Sequence, residues 1–193
     1  MIEYIKGTIT QITPTFLTIE TGGIGYFINI SINTFSRLEG KTDYQILIHE
    51  VIREDAHQLF GFADASERGI FRLLISVSGV GANTARMMLS SLHPEEIEKA
   101  ILGSDVNLLK SVKGIGLKTA QRIIVDLKDK VGKHTGSDEI FTTSDNTKRE
   151  EALSALVMLG FAKSTVAKVL DKIIREEKNL TVEDIIKRAL KNL

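Results

Sequence analysis

Residues 73–92 (LLISVSGVGANTARMMLSSL) and 108–127 (LLKSVKGIGLKTAQRIIVDL) are one segment written twice, 35 positions apart, with nine of twenty positions identical. In each copy two glycines flank one aliphatic residue, Gly79-Val80-Gly81 and Gly114-Ile115-Gly116, and a helix opening with Thr-Ala follows (Thr84-Ala85, Thr119-Ala120). Such glycines permit a sharp turn with positive φ and leave backbone N–H groups without Cβ atoms in front of them. The helix that starts next adds its unpaired first-turn N–H groups and the positive end of its dipole. That is chemistry for a phosphate and not for a base. Val80 and Ile115 are expected to point inward and pin each turn. The side chains placed to join the contact are Asn83, Thr84 and Arg86 after the first turn, and Lys118, Thr119 and Arg122 after the second. Met87 stands where the second copy has Arg122, so the second copy reads as the more basic.

A single Gly-x-Gly between helices is commonly only a connection. Recurrence of both glycines and of Thr-Ala favours a tandem helix-hairpin-helix module that binds nucleic-acid backbone. The run Gly116-Leu117-Lys118-Thr119 looks like the tail of a nucleotide-binding P-loop, but that motif needs Gly and Lys adjacent and an earlier glycine where Ser111 stands. No ATP site of that kind is expected.

Carboxylates are adjacent at Glu54-Asp55, in Arg53-Glu54-Asp55-Ala56 ahead of His57. Consecutive strand residues face opposite ways and no further carboxylate converges on the pair, which argues against catalysis. A solvated turn and a negative projection that repels phosphate both remain open from the residues alone. His49, His57, His93 and His134 lack metal-ligand spacing, and the chain has no cysteine, so no metal, cofactor or disulfide is expected.

Four segments must position these groups. Residues 1–64 read as short strands near 4–12, 15–20, 26–32, 44–52 and 57–62, the third an alternation of Tyr26, Ile28, Ile30 and Ile32 with polar or opposite-facing neighbours. Five strands in so short a stretch suggest a closed barrel of the OB type. Gly22-Gly23-Ile24-Gly25 joins two strands and reads as a hairpin turn. Residues 65–131 are helical, with Ser66, Pro94 and Asp105 as start signals. Residues 132–147 are rich in Gly, Ser, Thr, Asp and Asn and read as a flexible linker. Residues 148–193 carry a helical period in Val166, Val169, Leu170, Ile173 and Ile174 and a capping pair Thr181/Asp184, giving a three-helix bundle. The expected class is thus a multidomain β + α chain.

Net charge is zero, with 25 basic and 25 acidic residues, yet the distribution is uneven. Residues 1–64 hold 4 Lys or Arg against 8 Asp or Glu, and residues 65–131 hold 10 against 7. Bulk charge cannot dominate DNA binding here, so main-chain cradles must carry much of it. No signal segment or membrane span is read, and a cytoplasmic protein is expected.

In order and content these parts resemble the RuvA family, the Holliday-junction-recognition subunit of the bacterial branch-migration machine. The resemblance spans the chain: Met-Ile-x-x-Ile-x-Gly at the start, Gly22 to Tyr26, Val51 to Ala56 followed by Leu59-Phe60-Gly61-Phe62, both helical hairpins, and Ala155 to Phe161. It implies a homotetramer, or an octamer on the junction, that holds four-way junction DNA in an open square during recombination and the repair of DNA damage. Glu54 and Asp55 would form an acidic pin at the crossover. The last segment would bind and regulate the hexameric RuvB ATPase, with Leu156, Leu159 and Phe161 as its contacts, and a RuvC-type resolvase would be a further partner; from the residues alone, Leu156, Met158, Leu159 and Phe161 equally suit the filling of the bundle. Asn83 departs from the basic residue expected in the first hairpin, and Leu117 makes the second less basic than usual. Two other classes compete: a structure-specific nuclease or glycosylase, which would need clustered carboxylates or a Lys and Asp beside a hairpin, and an interaction adaptor, since Met158-Leu159-Gly160-Phe161 is similar to the loop of ubiquitin-associated-type bundles.

Overall fold

The computed structural model describes residues 1–134, 144–177 and 180–193, in two compact units, Met1–Ser137 and Asp138–Leu193.

The first unit begins with β1 (Tyr4–Ile12), β2 (Phe16–Thr21), β3 (Ile24–Ile30), α1 (Ile32–Leu38), β4 (Asp43–Ile52) and β5 (His57–Phe62). The strands close a barrel in the order β1-β2-β3-β5-β4, with β3 and β5 parallel and the other pairs antiparallel. This is the expected five-stranded OB-type barrel. Gly22 and Gly23, at φ 59° and 77°, make the two-residue turn between β2 and β3 that right-handed strand twist favours. Leu17, Ile19, Ile28, Ile30, Ile46 and Ile48 fill the interior.

Helix α1 was not expected, because Ile32 prolongs the alternation of Ile28 and Ile30 and reads as strand. Its cause is local. Ser31 caps the helix, its hydroxyl accepting from the Thr34 N–H at 3.0 Å, and Phe35 and Leu38 then fall on the face turned to the barrel core.

Five helices follow: α2 (Ala65–Ile75), α3 (Ala82–Ser91), α4 (Pro94–Leu102), α5 (Val106–Ser111) and α6 (Leu117–His134). Pro94 occupies the first turn of α4, and Asp105 caps α5 by accepting from the Leu108 N–H at 3.0 Å. Ser66 is not the cap of α2. Asp64 is, accepting from the Glu67 N–H at 2.8 Å, since it is the last extended residue and Ser66 already lies within the first turn.

Barrel and helices share one seam, strand β5. Leu59 faces the barrel core, and a Cβ on Gly61 would meet Ile46 Cδ1 at 2.5 Å and Ile28 Cγ2 at 2.6 Å. Phe60 and Phe62 point the other way, onto Phe71 of α2 at ring distances of 5.3 and 4.8 Å. A strand apolar on both faces is what a two-sided burial demands, and each such phenylalanine stabilises by ~1.5–3 kcal/mol. Polar ties reinforce the seam. The carboxylate of Glu67, buried at 2% exposure, accepts from the hydroxyls of Ser31 and Thr34, the latter at 2.6 Å. Arg68 pairs with Glu3 at 2.5 Å and donates to the Glu3 carbonyl at 3.0 Å.

The second unit comprises α7 (Ser144–Met158), α8 (Lys163–Glu176) and α9 (Val182–Asn192) around Ala152, Leu156, Val166, Leu170, Ile173, Ile185 and Ala189. Thr181 caps α9 as its spacing to Asp184 predicts, accepting from the Asp184 N–H at 3.2 Å. Of the segment expected as a flexible linker, residues 135–143 lie outside the described residues, whereas 132–134 and 144–147 continue α6 and α7 as helix.

Candidate nucleic-acid interface

The sequence repeat is a repeat of hydrogen bonds. In the first turn the Val80 N–H donates to the Val77 carbonyl at 3.0 Å, and in the second the Ile115 N–H donates to the Val112 carbonyl at 3.1 Å. Helix α3 opens with Ala85 N–H to Gly81 carbonyl, α6 with Ala120 N–H to Gly116 carbonyl, each at 2.9 Å. Gly79 and Gly114 sit at φ 94° and 92°, a region closed to most L-residues. The two turns therefore share one backbone conformation.

Gly81 and Gly116 are glycine for a different reason. A Cβ added at either would meet no atom within 4 Å, so nothing inside the chain requires its omission. At Gly81 the backbone is ordinary extended N-cap geometry, and no side chain caps the first turn of α3. The bare backbone faces outward with first-turn N–H groups that have no partner within the helix. A group from outside can come close there.

Each predicted residue can now be placed. Val80 and Ile115 are buried at 5% and 4%, and with their N–H groups already used they offer a ligand nothing directly; they anchor the turns. Asn83 and Lys118 are exposed at matching positions one residue into each helix, with Thr84 and Thr119 half-buried beside them. Arg122 is exposed, and one of its donors reaches across to the Ser78 carbonyl at 3.1 Å. Arg86 departs from the expectation. Its guanidinium turns away from the first turn, onto the Thr15 carbonyl at 2.9 Å and Asn29 Oδ1 at 3.1 Å, because α3 lies against the barrel and offers that side chain two oxygens. Burial lowers its pKa from the usual arginine value.

Lys113 was missed. It is exposed inside the second turn, between Val112 and Gly114, where the first turn has Ser78. Aligning the two copies position by position is the signal that finds it. With Lys110, Lys113 and Lys118 around the second turn, Asn83 the nearest counterpart in the first, and Arg68 and Arg72 committed to Glu3, the basic surplus sits at one hairpin.

Glu54 and Asp55 occupy the tip of the β4–β5 hairpin, exposed, where Arg53 N–H donates to the Ala56 carbonyl at 2.8 Å. Just below, the Glu50 carboxylate accepts from the Ile2 N–H at 2.7 Å and meets His57 Nε2 at 3.1 Å. The hydrogen bond from Ile2 chiefly, and His57 after it, hold its carboxyl below the ordinary glutamate value.

In the second unit Leu156 cannot be a partner contact, since it is fully buried in the bundle core. Gly160, at φ 99°, ends α7: the Phe161 N–H donates to the Leu156 carbonyl at 3.2 Å and the Gly160 N–H to the Val157 carbonyl at 3.0 Å. That cap folds Phe161 back onto the core and leaves Met158 and Leu159 86% and 63% exposed.

Among the described residues, no group of three or more His, Asp or Glu is arranged to hold a metal ion, and no helix is long and apolar enough to cross a membrane.

Family models match in three consecutive blocks: the RuvA N terminal domain over residues 1–61, a SAM-like helix-hairpin-helix tandem over 71–129, and the RuvA C-terminal domain over 147–193. Curated relatives match along the whole of both chains. A protein of Christiangramia forsetii is 55% identical, one of Parabacteroides distasonis 54% and one of Bacteroides thetaiotaomicron 49%. Each of the three is named Holliday junction branch migration complex subunit RuvA.

Proposed function

We propose that this chain, which belongs to the RuvA family, binds four-way Holliday junction DNA by the backbone of its arms and serves branch migration as a non-catalytic subunit. The observation that carries this reading is the pair of equivalent turns whose second glycines, Gly81 and Gly116, face open space. Phosphate is the group that such a cradle accepts, and a paired cradle suits two points along one duplex. Base edges are not read, so binding is sequence-tolerant.

Four copies around a fourfold axis would present eight turns to four arms laid out as an open square, and a second tetramer on the opposite face would give an octamer. Glu54 and Asp55, at an exposed hairpin tip, would stand at the crossover and repel the phosphates of strands that must part. ATP hydrolysis would belong to a RuvB-type hexamer, recruited and regulated through the second unit, with Met158 and Leu159 as the exposed apolar contact. A RuvC-type resolvase acting on the same open junction is compatible with this arrangement. The setting would be recombination and DNA repair in the cytoplasm.

Affinity for a four-way junction and for linear duplex of the same length, measured across a salt series, tests the reading. The junction should bind more tightly, and log K should fall against log salt by roughly 0.9 for each phosphate neutralised. Equal affinities would refute it.

A further inference from the structure

We propose that Arg86 is a positioning residue, which ties the first Gly-Val-Gly turn to the barrel and sets its direction relative to the Glu54-Asp55 tip. This rests on the junction-binding reading above and deepens it: selectivity for a branched DNA would come partly from a side chain that touches no DNA.

The tie is a relay of named bonds. Arg86 Nη1 donates to the Thr15 carbonyl at 2.9 Å and to Asn29 Oδ1 at 3.1 Å. Asn29 Nδ2 in turn donates to the Leu59 carbonyl at 3.2 Å, on the strand that leads away from the acidic tip. The Thr15 carbonyl also accepts from the Ile30 N–H at 3.1 Å, so the guanidinium grips a point already held within the sheet. At the C-terminal end of α3, Asn33 Nδ2 of α1 donates to the carbonyls of Leu89 at 2.6 Å and Leu92 at 3.1 Å. Beside it, Ser90 Oγ accepts from the Ile32 N–H at 3.2 Å and donates to the Arg86 carbonyl at 2.8 Å. Helix α3 is therefore held at its middle by the barrel through Arg86 and at its C-terminal end by α1, and its first turn carries the cradle.

The repeat supplies an independent argument. At the position equivalent to Arg86, the second copy has Gln121, which is exposed. Arg86 appears only in the copy whose helix lies on the barrel. Its charge is met by two neutral oxygens and its side chain is half-buried, a poor disposition for a mobile cation that screens phosphate.

Phosphate contact and positioning are separable by salt. The full-length protein and the variants Arg86→Met and Asn29→Leu are titrated with a four-way junction and with linear duplex over a salt series, after circular dichroism melting establishes the folded state of each. Positioning predicts that each variant loses about tenfold of the junction-over-duplex preference, the scale of one charge-assisted hydrogen bond. It also predicts an unchanged salt slope and a double variant no worse than either single one. Amide exchange should quicken in α3 and not in α6. A fall of about 0.9 in the slope for Arg86→Met on either DNA, or wild-type preference in Asn29→Leu, overturns the proposal. Absence of junction preference in the unaltered protein would instead sink the functional reading, and the slope and exchange data would still decide the role of Arg86.

Discussion

The guanidinium of Arg122, on the helix that follows the second Gly-x-Gly turn, donates to the carbonyl oxygen of Ser78 inside the first turn at 3.1 Å. One side chain thereby links two turns that the sequence places 35 residues apart, and the turns are held as a pair.

Arg122→Ala should lower thermal stability little, by about 1 kcal/mol or less, because the bond is exposed. DNA binding should weaken more, since the guanidinium has further donors for phosphate. Arg122→Gln removes the charge, and its amide is too short to reach the Ser78 carbonyl that Nη1 meets. Its melting temperature should match that of Arg122→Ala, and the salt slope should fall by about 0.9; calorimetry and a salt titration check both.

The four glycines should divide into two classes. Gly79→Ala and Gly114→Ala force a Cβ into φ near 94° and 92° and should each cost about 1–2 kcal/mol of stability. Gly81→Ala and Gly116→Ala meet open space and should cost under about 1 kcal/mol, the difference between Gly and Ala at an N-cap. Denaturant unfolding of the four single variants reads this directly.

Glu67→Ala should be among the more damaging single changes, at about 2–3 kcal/mol, because it strands the buried hydroxyls of Ser31 and Thr34 and loosens α1 from α2. Urea unfolding measures it, and a loss confined to a few tenths of a kcal/mol would contradict the role given to that carboxylate.

Glu54→Gln with Asp55→Asn should leave stability unchanged within about 0.5 kcal/mol, as both side chains are exposed at a tip. Affinity for DNA should rise and discrimination among DNA shapes should fall as repulsion is removed. Unaltered affinity and discrimination would reduce the tip to a solvated turn.

The acid limb of stability should carry a Glu50 component. Its folded-state pKa lies below the ordinary value of 4.5, with Ile2 and His57 as partners, so the stabilisation is present above that value and is lost as pH falls through the folded pKa. Glu50→Gln should flatten the decline of melting temperature below about pH 4.5, where protonation of the unfolded chain begins to matter.

Much of this fold was legible because two periods were undisturbed. Strands β1 and β5 fall on the residues expected, and the repeat announced both turns through their glycines. Helix α1 was hidden because Ile32 extends the two-residue alternation of Ile28 and Ile30, and only Ser31, a cap that also serves Glu67, marks the break. The outward role expected of Arg86 rests on its motif position, and that of Leu156 on the family resemblance alone. Which oxygens Arg86 would meet, and that Leu156 would lie under the glycine cap of α7, depend on contacts between segments distant in sequence or on how a helix ends. Lys113 was legible and overlooked.

If outward-facing backbone at Gly81 and Gly116 receives DNA phosphate, the Gly81→Val/Gly116→Val double variant, with folding verified by circular dichroism, should bind a four-way junction at least about tenfold more weakly than the unaltered chain, since each cradle loses hydrogen bonds to a charged group. A folded double variant with undiminished junction affinity would exclude phosphate binding at these glycines.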